Sequence, residues 1–293
     1  MTEVTTTALG DLTQARRSHA SLARLFRAEL RWIFRRPRTL AVLGVLAVIP
    51  VIVGIALTLV DSPGPPGNNG GDGPLLASGV AGNALVLPIA TLFMALSLLL
   101  PLSAAMSGAD ALAGEAAHGT LRGWLLAPVS RGRMLFVKAA GVATFTVTAA
   151  VVMALTGVLT GLVINGSSAL VTLSGTTLSL PGALVKVAIA VGWVALQLWA
   201  VGAVALAISA WTEHPMVVLA SVLGGVIVFS VLQALDALSW LHPYLLNSSW
   251  TSLVDVLRDP MPTGALGEGA VRAVCYIAIA LSLAYARLST KDG

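Results

Sequence analysis

The sequence predicts an all-α integral membrane protein, with six transmembrane helices preceded by an interfacial amphipathic elbow helix. Composition gives the first indication. Hydrophobic residues make up 57% of the 293-residue chain and charged residues only 10%, whereas a soluble domain carries about a quarter charged residues. The mean hydropathy is +0.90. Pattern gives the second. Apolar stretches near or above the ~20 residues needed to cross the hydrocarbon core recur at about 39–60, 84–107, 137–164, 182–211, 215–238 and 268–288. A lone cysteine, Cys275, rules out any intrachain disulfide.

Residues 1–19 are polar and read as a flexible cytoplasmic segment without the pattern of a removable signal peptide. Residues 20–36, ASLARLFRAELRWIFRR, have helical periodicity. Arg24, Arg27, Arg31 and Arg35 form one basic stripe, and Leu22, Leu25, Phe26, Ile33 and Phe34 form an apolar one. Such a helix lies in the membrane interface, its apolar face in the acyl boundary and its arginines among lipid headgroups. A solvated helix of a small soluble domain is the alternative, disfavoured because the stretch runs into a span after Pro37. Residues 37–288 read as the six-span domain and 289–293 as a cytoplasmic tail.

Within that domain the fourth and fifth spans are parted only by Trp211-Thr-Glu-His-Pro215, a tight turn that leaves Glu213 and His214 in water. Pro50, Pro88 and Pro101 are expected to bend their spans. Gly157-x-x-x-Gly161 permits close helix approach. Asp61–Gly82 reads as a flexible loop, and Asn165–Pro181 as a small hairpin around Gly175. His242–Pro260 reads as a short amphipathic helix at the outer interface. Leu246, Trp250, Leu253, Val254 and Leu257 share one face of it, with Trp240, Tyr244 and Trp250 as aromatic anchors. Of the Arg and Lys residues, fourteen flank one side of the spans, and only Lys186, Arg258 and Arg272 the other. The positive-inside rule then puts both termini in the cytoplasm of a cell (plasma or inner) membrane.

Enzymatic signatures are missing. No lysine follows a glycine, so there is no phosphate-cradling Walker A loop. Neither a Gly-x-Ser-x-Gly elbow nor a His-Glu-x-x-His helix occurs, and the four histidines are scattered. The chain is expected to be no enzyme, to hold no metal or cofactor and to bind no nucleic acid.

The chemistry-bearing stretch is Ser107–Lys138, SGADALAGEAAHGTLRGWLLAPVSRGRMLFVK, a polar interlude between two apolar runs. Thr120 is a candidate N-cap for a short helix Leu121–Ala127, which Pro128 stops, and Ser130 caps the helix beginning at Arg131. A short basic helix across the mouth of two spans suits contact with a soluble partner. Asp110 and Glu115 lie at the exit of the second span, where an acid is a functional hypothesis by default. The structural alternative pairs them with Arg122, Arg131 or Arg133. Thr144, Thr148, Thr156, Thr160 and Gln197 are candidates for lining a polar pathway. Against that, threonine hydroxyls in spans commonly bond their own helix carbonyls.

These residues resemble a family. RRPRTL, then D-A-L-A-G-E, then HGTLRGWLLAPVSRGRMLFVK, look like the permease subunit of bacterial type-2 ABC exporters. In that family a Glu precedes Gly-Thr-Leu, and Pro-x-Ser-Arg leads to a Lys that opens the third span. Glu115, Gly119-Thr120-Leu121, Pro128-Val129-Ser130-Arg131 and Lys138 match that pattern, and Ala116-Ala117 depart from it where members often carry more charge. WLHPYLLNSSWTSLVDVLRDP is similar to the outer segment before the last span. The resemblance implies a permease paired with itself or a sibling, and a separate cytoplasmic ABC ATPase that holds ATP and Mg. That ATPase would dock on Gly119, Thr120, Leu121, Trp124, Leu125, Pro128 and Arg131, with Asp110 and Glu115 as structural or gating acids. Its cargo would be hydrophobic or amphipathic, such as a drug, peptide or lipid. An ion- or proton-coupled carrier using Asp110 and Glu115, or a non-transporting membrane anchor for a cytoplasmic complex, are the rival readings.

Overall fold

A computed structural model describes residues 21–59, 84, 86–117, 130–166, 172 and 174–290. The described residues are helical almost throughout. Helix α1 (Leu22–Arg35) is followed directly by α2 (Pro37–Leu59). Helices α3 (Val86–Leu96) and α4 (Leu99–Ala109) follow, and α4 continues through a π turn (Asp110–Gly114) into Glu115–Ala117. Then come α5 (Arg131–Asn165), α6 (Leu180–Ser209) and α7 (Pro215–Gln233). Two 3₁₀ stretches, Asp236–Tyr244 and Leu246–Leu257, lead to α8 (Gly264–Thr290). Helices α2, α5, α6, α7 and α8 are each long and apolar enough to cross a membrane, and the bent pair α3–α4 makes six if it is one span.

Helix α6 is the core of the bundle, packed against α4, α5 and α8. In its most apolar 18-residue window 61% of residues are buried, against 17% for α2 and 11% for α7. Small residues set the spacing. A Cβ on Gly108 of α4 would come within 2.5 Å of the Gly202 carbonyl of α6, and one on Gly202 within 2.5 Å of Val142 on α5. The Gly157/Gly161 pair does what its spacing suggested: added Cβ atoms would stand 2.7 Å from Pro88 Cα and 2.6 Å from the Ala84 carbonyl. Helix α5 therefore lies backbone to backbone against the start of α3.

Three expectations are corrected. The second span is not one helix over 84–107; it breaks between α3 and α4, runs to Ala117 and turns by 59° at the break. Of the three prolines, Pro50 sits inside an unbroken α2, whereas Pro101 lies just past the break. Without an N–H, Pro101 cannot bond the Ser97 carbonyl, and the chain departs from helical geometry at Leu98 (φ −149°, ψ −52°). The fifth span ends at Gln233, short of 238.

The His242–Pro260 stretch is the third. Leu246, Trp250, Leu253, Val254 and Leu257 are all buried, as the shared face suggested, but on a 3₁₀ rather than an α-helical stretch. It is packed among α3, α6, α7 and α8 rather than lying beside them. Trp240 and Tyr244 are exposed, but Trp250 belongs to the core and is no surface anchor. Around Gly175, at φ +81°, the chain makes a tight turn closed by Thr172 N donating to Thr176 O at 2.8 Å. No strand forms there among the described residues.

Candidate coupling site

Helix α1 is shaped by its two stripes. Arg24, Arg27, Arg31 and Arg35 are exposed, and Ile33 is buried. On the apolar side stands one acid, Glu29, only 4% exposed. It meets Lys138 of α5, whose side chain is wholly buried. Lys138 Nζ donates to Glu29 Oε2 at 2.8 Å and Oε1 at 3.0 Å, and to Glu115 Oε1 at 2.5 Å. One ammonium thus joins α1, the end of α4 and the first turns of α5. Burying three such charges is costly unless each is paired and hydrogen-bonded. The arrangement meets that condition and makes each charge depend on the others.

A second charged group adjoins the first. Asp110 lies 3.4 Å from both Arg36 and Arg38 at the α1–α2 junction. Arg36 stacks on Trp32, its guanidinium 3.1 Å from the ring centroid, and Lys138 Nζ lies 5.1 Å from that centroid. The indole thus meets both cations. Burial pushes the Arg36 guanidinium below the usual arginine value, while Asp110, Glu115 and Glu29 oppose the shift.

The π turn brings the two acids to one side. On an α-helix, residues 110 and 115 would point roughly 140° apart at 3.6 residues per turn. A π turn takes up an extra residue and swings Glu115 back toward the side of Asp110. Its cause is visible. Ser209 of α6 inserts its hydroxyl into the helix ladder, accepting from Ala113 N at 2.7 Å and donating to Ala109 O at 3.1 Å. That pair would otherwise bond each other directly; an inserted side chain is a common origin of such bulges.

Several sequence-predicted residues are now located. Asp110 pairs with Arg36 and Arg38, and Glu115 with Lys138; of the three arginines expected as alternative partners, Arg122 lies outside the described residues. Arg131 instead donates to the Leu288 carbonyl and, at 3.1 Å, to Ser289 O at the end of α8. Ser130 caps α5 as expected, accepting from Arg133 N at 3.4 Å. Gly119, Thr120, Leu121, Arg122, Trp124, Leu125 and Pro128 lie outside the described residues, as do Leu121–Ala127 as a helix and residues 1–19. Thr144, Thr148 and Thr156 bond carbonyls of their own helix at 2.7–3.0 Å. Gln197 is fully buried, donating to Gly269 O of α8 at 3.0 Å. Glu29 was the residue missed. Its signal was there: Phe26, Glu29, Ile33 and Arg36 follow the three- and four-residue spacing of one helix face, so an acid stood in an apolar stripe.

An amphipathic helix clamped by buried ion pairs to a bundle of apolar, membrane-length helices defines a multi-pass membrane protein with a charged joint at one end. Residues 23–293 match the family described as ABC-2 family transporter protein, and the chain belongs to that family. Membership makes it the permease subunit of an ABC transporter and implies an ABC ATPase subunit as partner. No curated protein matches the chain.

Proposed function

We propose that the chain is the six-span permease of an ATP-driven exporter for hydrophobic or amphipathic cargo, and that the Glu29–Lys138–Glu115 cluster is its mechanical joint. The carrying observation is where those residues fall. Glu115 and Lys138 flank the segment 116–137, which contains the contact residues expected from the family resemblance; they are ion-paired to each other, and Lys138 also to Glu29 of α1. A push on Gly119–Arg131 by a closing ATPase would therefore move α1, α4 and α5 together, as packed elements shift between discrete arrangements.

In this reading both termini are cytoplasmic in the cell membrane, and α1 is the interfacial elbow with its arginines on lipid headgroups. The chain itself is no enzyme and holds no cofactor; ATP and Mg belong to the partner ATPase. Helices α2 and α7 leave most of their apolar surface uncovered, which suits a second copy or a sibling permease. Because Arg131 is engaged by the end of α8, the docking test rests on Trp124 and Leu125. Pull-down of the tagged chain in mild detergent is expected to recover a soluble ATPase with a Walker A loop, and Trp124→Ala with Leu125→Ala to lose it. Recovery of the ATPase at undiminished yield by the double variant would overturn the docking assignment.

A further inference from the structure

An open groove of ≈ 680 Å³ lies among α1, the first turns of α5, α6 and the last turns of α8. Helix α8 packs chiefly on α6 and touches α5 less. Small residues on α5, Ala139, Ala140 and Ala143, leave the space between them open. Phe136 and Tyr285 line it and are 64% and 52% exposed. Its threonine and serine hydroxyls are already used, Thr144 donating to Ala140 O at 2.8 Å and Ser282 to Ala278 O at 2.7 Å. The wall therefore offers a ligand mainly apolar surface. From Gly132 to Thr144 the groove follows α5 for about 18 Å, at 1.5 Å per residue. That is close to the depth of one leaflet, half of a ~30 Å hydrocarbon core.

The α1 end of the groove is basic. Arg27 follows Phe26 on α1 and Arg131 precedes Gly132 on α5, so each stands one residue from the wall. Arg131 uses only Nη1 on the Leu288 and Ser289 carbonyls, which leaves the rest of its five-donor fork for another acceptor. The acids of this end are taken, Glu29 and Glu115 by Lys138 and Asp110 by Arg36 and Arg38. Among the described residues neither Arg27 nor Arg131 has an ion-pair partner.

We propose that the groove binds one anionic phospholipid of the leaflet on the α1 side, an acyl chain along α5 and the phosphate on Arg27 and Arg131. Charge complementarity points to this occupant, since arginine meets phosphate through its planar fork. The size agrees: a dry cavity of about 150 Å³ holds benzene, so ≈ 680 Å³ has room for a long acyl chain. A headgroup lying on the exposed stripe of α1 is held by charge alone; this lipid is held by its chain as well. Binding here needs neither ATP nor a partner subunit, so it stands or falls separately from the exporter reading.

The test uses the full chain in a neutral detergent without any ATPase. It is titrated with phosphatidylglycerol or with phosphatidylcholine of the same acyl chains, and bound lipid is read by native mass spectrometry. One phosphatidylglycerol per chain is expected, held about tenfold more tightly than phosphatidylcholine, the worth of one charge-assisted hydrogen bond. Arg27→Gln and Arg131→Gln should each reduce that preference. Ala140→Trp, which fills the groove from α5 and leaves both arginines in place, should remove the retained lipid. Equal retention of the two lipids by the wild-type chain overturns the site. So does a preference intact in either arginine variant. Phosphatidylglycerol binding that survives Ala140→Trp also overturns it, and would put the lipid on the exposed stripe of α1 instead.

Discussion

The two ends of the bundle are held together by different chemistry. At the α1 end, charged side chains meet other charged side chains: Glu29 and Glu115 on Lys138, Asp110 on Arg36 and Arg38. At the opposite end, polar side chains reach mainly for backbone carbonyls. Lys186 donates to Val256 O at 3.2 Å and Arg258 O at 2.6 Å, and Trp193 to Leu266 O at 2.9 Å. Tyr276 donates to Tyr244 O at 2.9 Å, and Arg272 to Leu245 O at 3.1 Å and to the Ser248 hydroxyl. The 3₁₀ stretches there have poorer internal hydrogen bonds than an α-helix, and donors from α6 and α8 make up part of the deficit. A carbonyl left without such a donor is neutral. A carboxylate left without Lys138 is a buried charge. The α1 end is a joint whose parts must move together or not at all; the opposite end is a cap that tolerates loss.

The largest expected effect breaks the joint. Lys138→Met removes the shared cation and leaves two carboxylates buried against each other, which should cost about 3–5 kcal/mol. Adding Glu29→Gln and Glu115→Gln to Lys138→Met should restore most of that loss, because a neutral cluster no longer carries unpaired charge. Equilibrium unfolding in mixed detergent micelles measures both. If Lys138→Met is no worse than the triple variant, the cluster is not holding the helices together through charge.

The matching break at the cap is smaller. Arg272→Met removes two donations by a charged group but strands only neutral acceptors, so roughly 2 kcal/mol is expected from the usual value of such bonds. Export by the reconstituted complex should fall less than for Lys138→Met, because in the proposed mechanism the cap lies off the route from the ATPase. Equal losses of stability and transport in the two variants would erase the distinction between the ends.

Much of this contrast was legible in the sequence. Hydropathy marked the membrane-length stretches, Ser130 marked the start of α5 as its cap, and Gly157-x-x-x-Gly161 announced its close contact. Glu115 and Lys138 were picked out by the family pattern, and Glu29 could have been by its place in an apolar stripe. What escaped was non-local. The pairing of Glu29 with Lys138 spans 109 positions, and hydropathy cannot say which cation a buried acid finds. The 3₁₀ form of Leu246–Leu257 escaped because its buried leucines fit both periods. The π turn left no local mark at all, since its cause, Ser209, lies 96 positions away from Ala113.

That turn supplies the smallest and sharpest prediction. Ser209→Ala removes one hydroxyl making two bonds, a loss of about 1 kcal/mol by itself. Its consequence is geometric. With the insertion gone, Ala113 N is free to bond Ala109 O directly, and the segment can close as a regular α-helix. Glu115 would then rotate away from Asp110 and from Lys138. Ser209 should therefore be coupled to Glu115 although they lie on different helices. In a double-mutant cycle of Ser209→Ala with Glu115→Gln, the second substitution should cost less in the Ser209→Ala background than in the wild type. The expected coupling is about 0.5–3 kcal/mol, the range found for residues in one network. Strict additivity would mean that the π turn persists without the hydroxyl. Glu115 would then be placed by the packing of α4 on α6 at Gly108 and Gly202, and the joint would be fixed by helix contact rather than by the inserted serine.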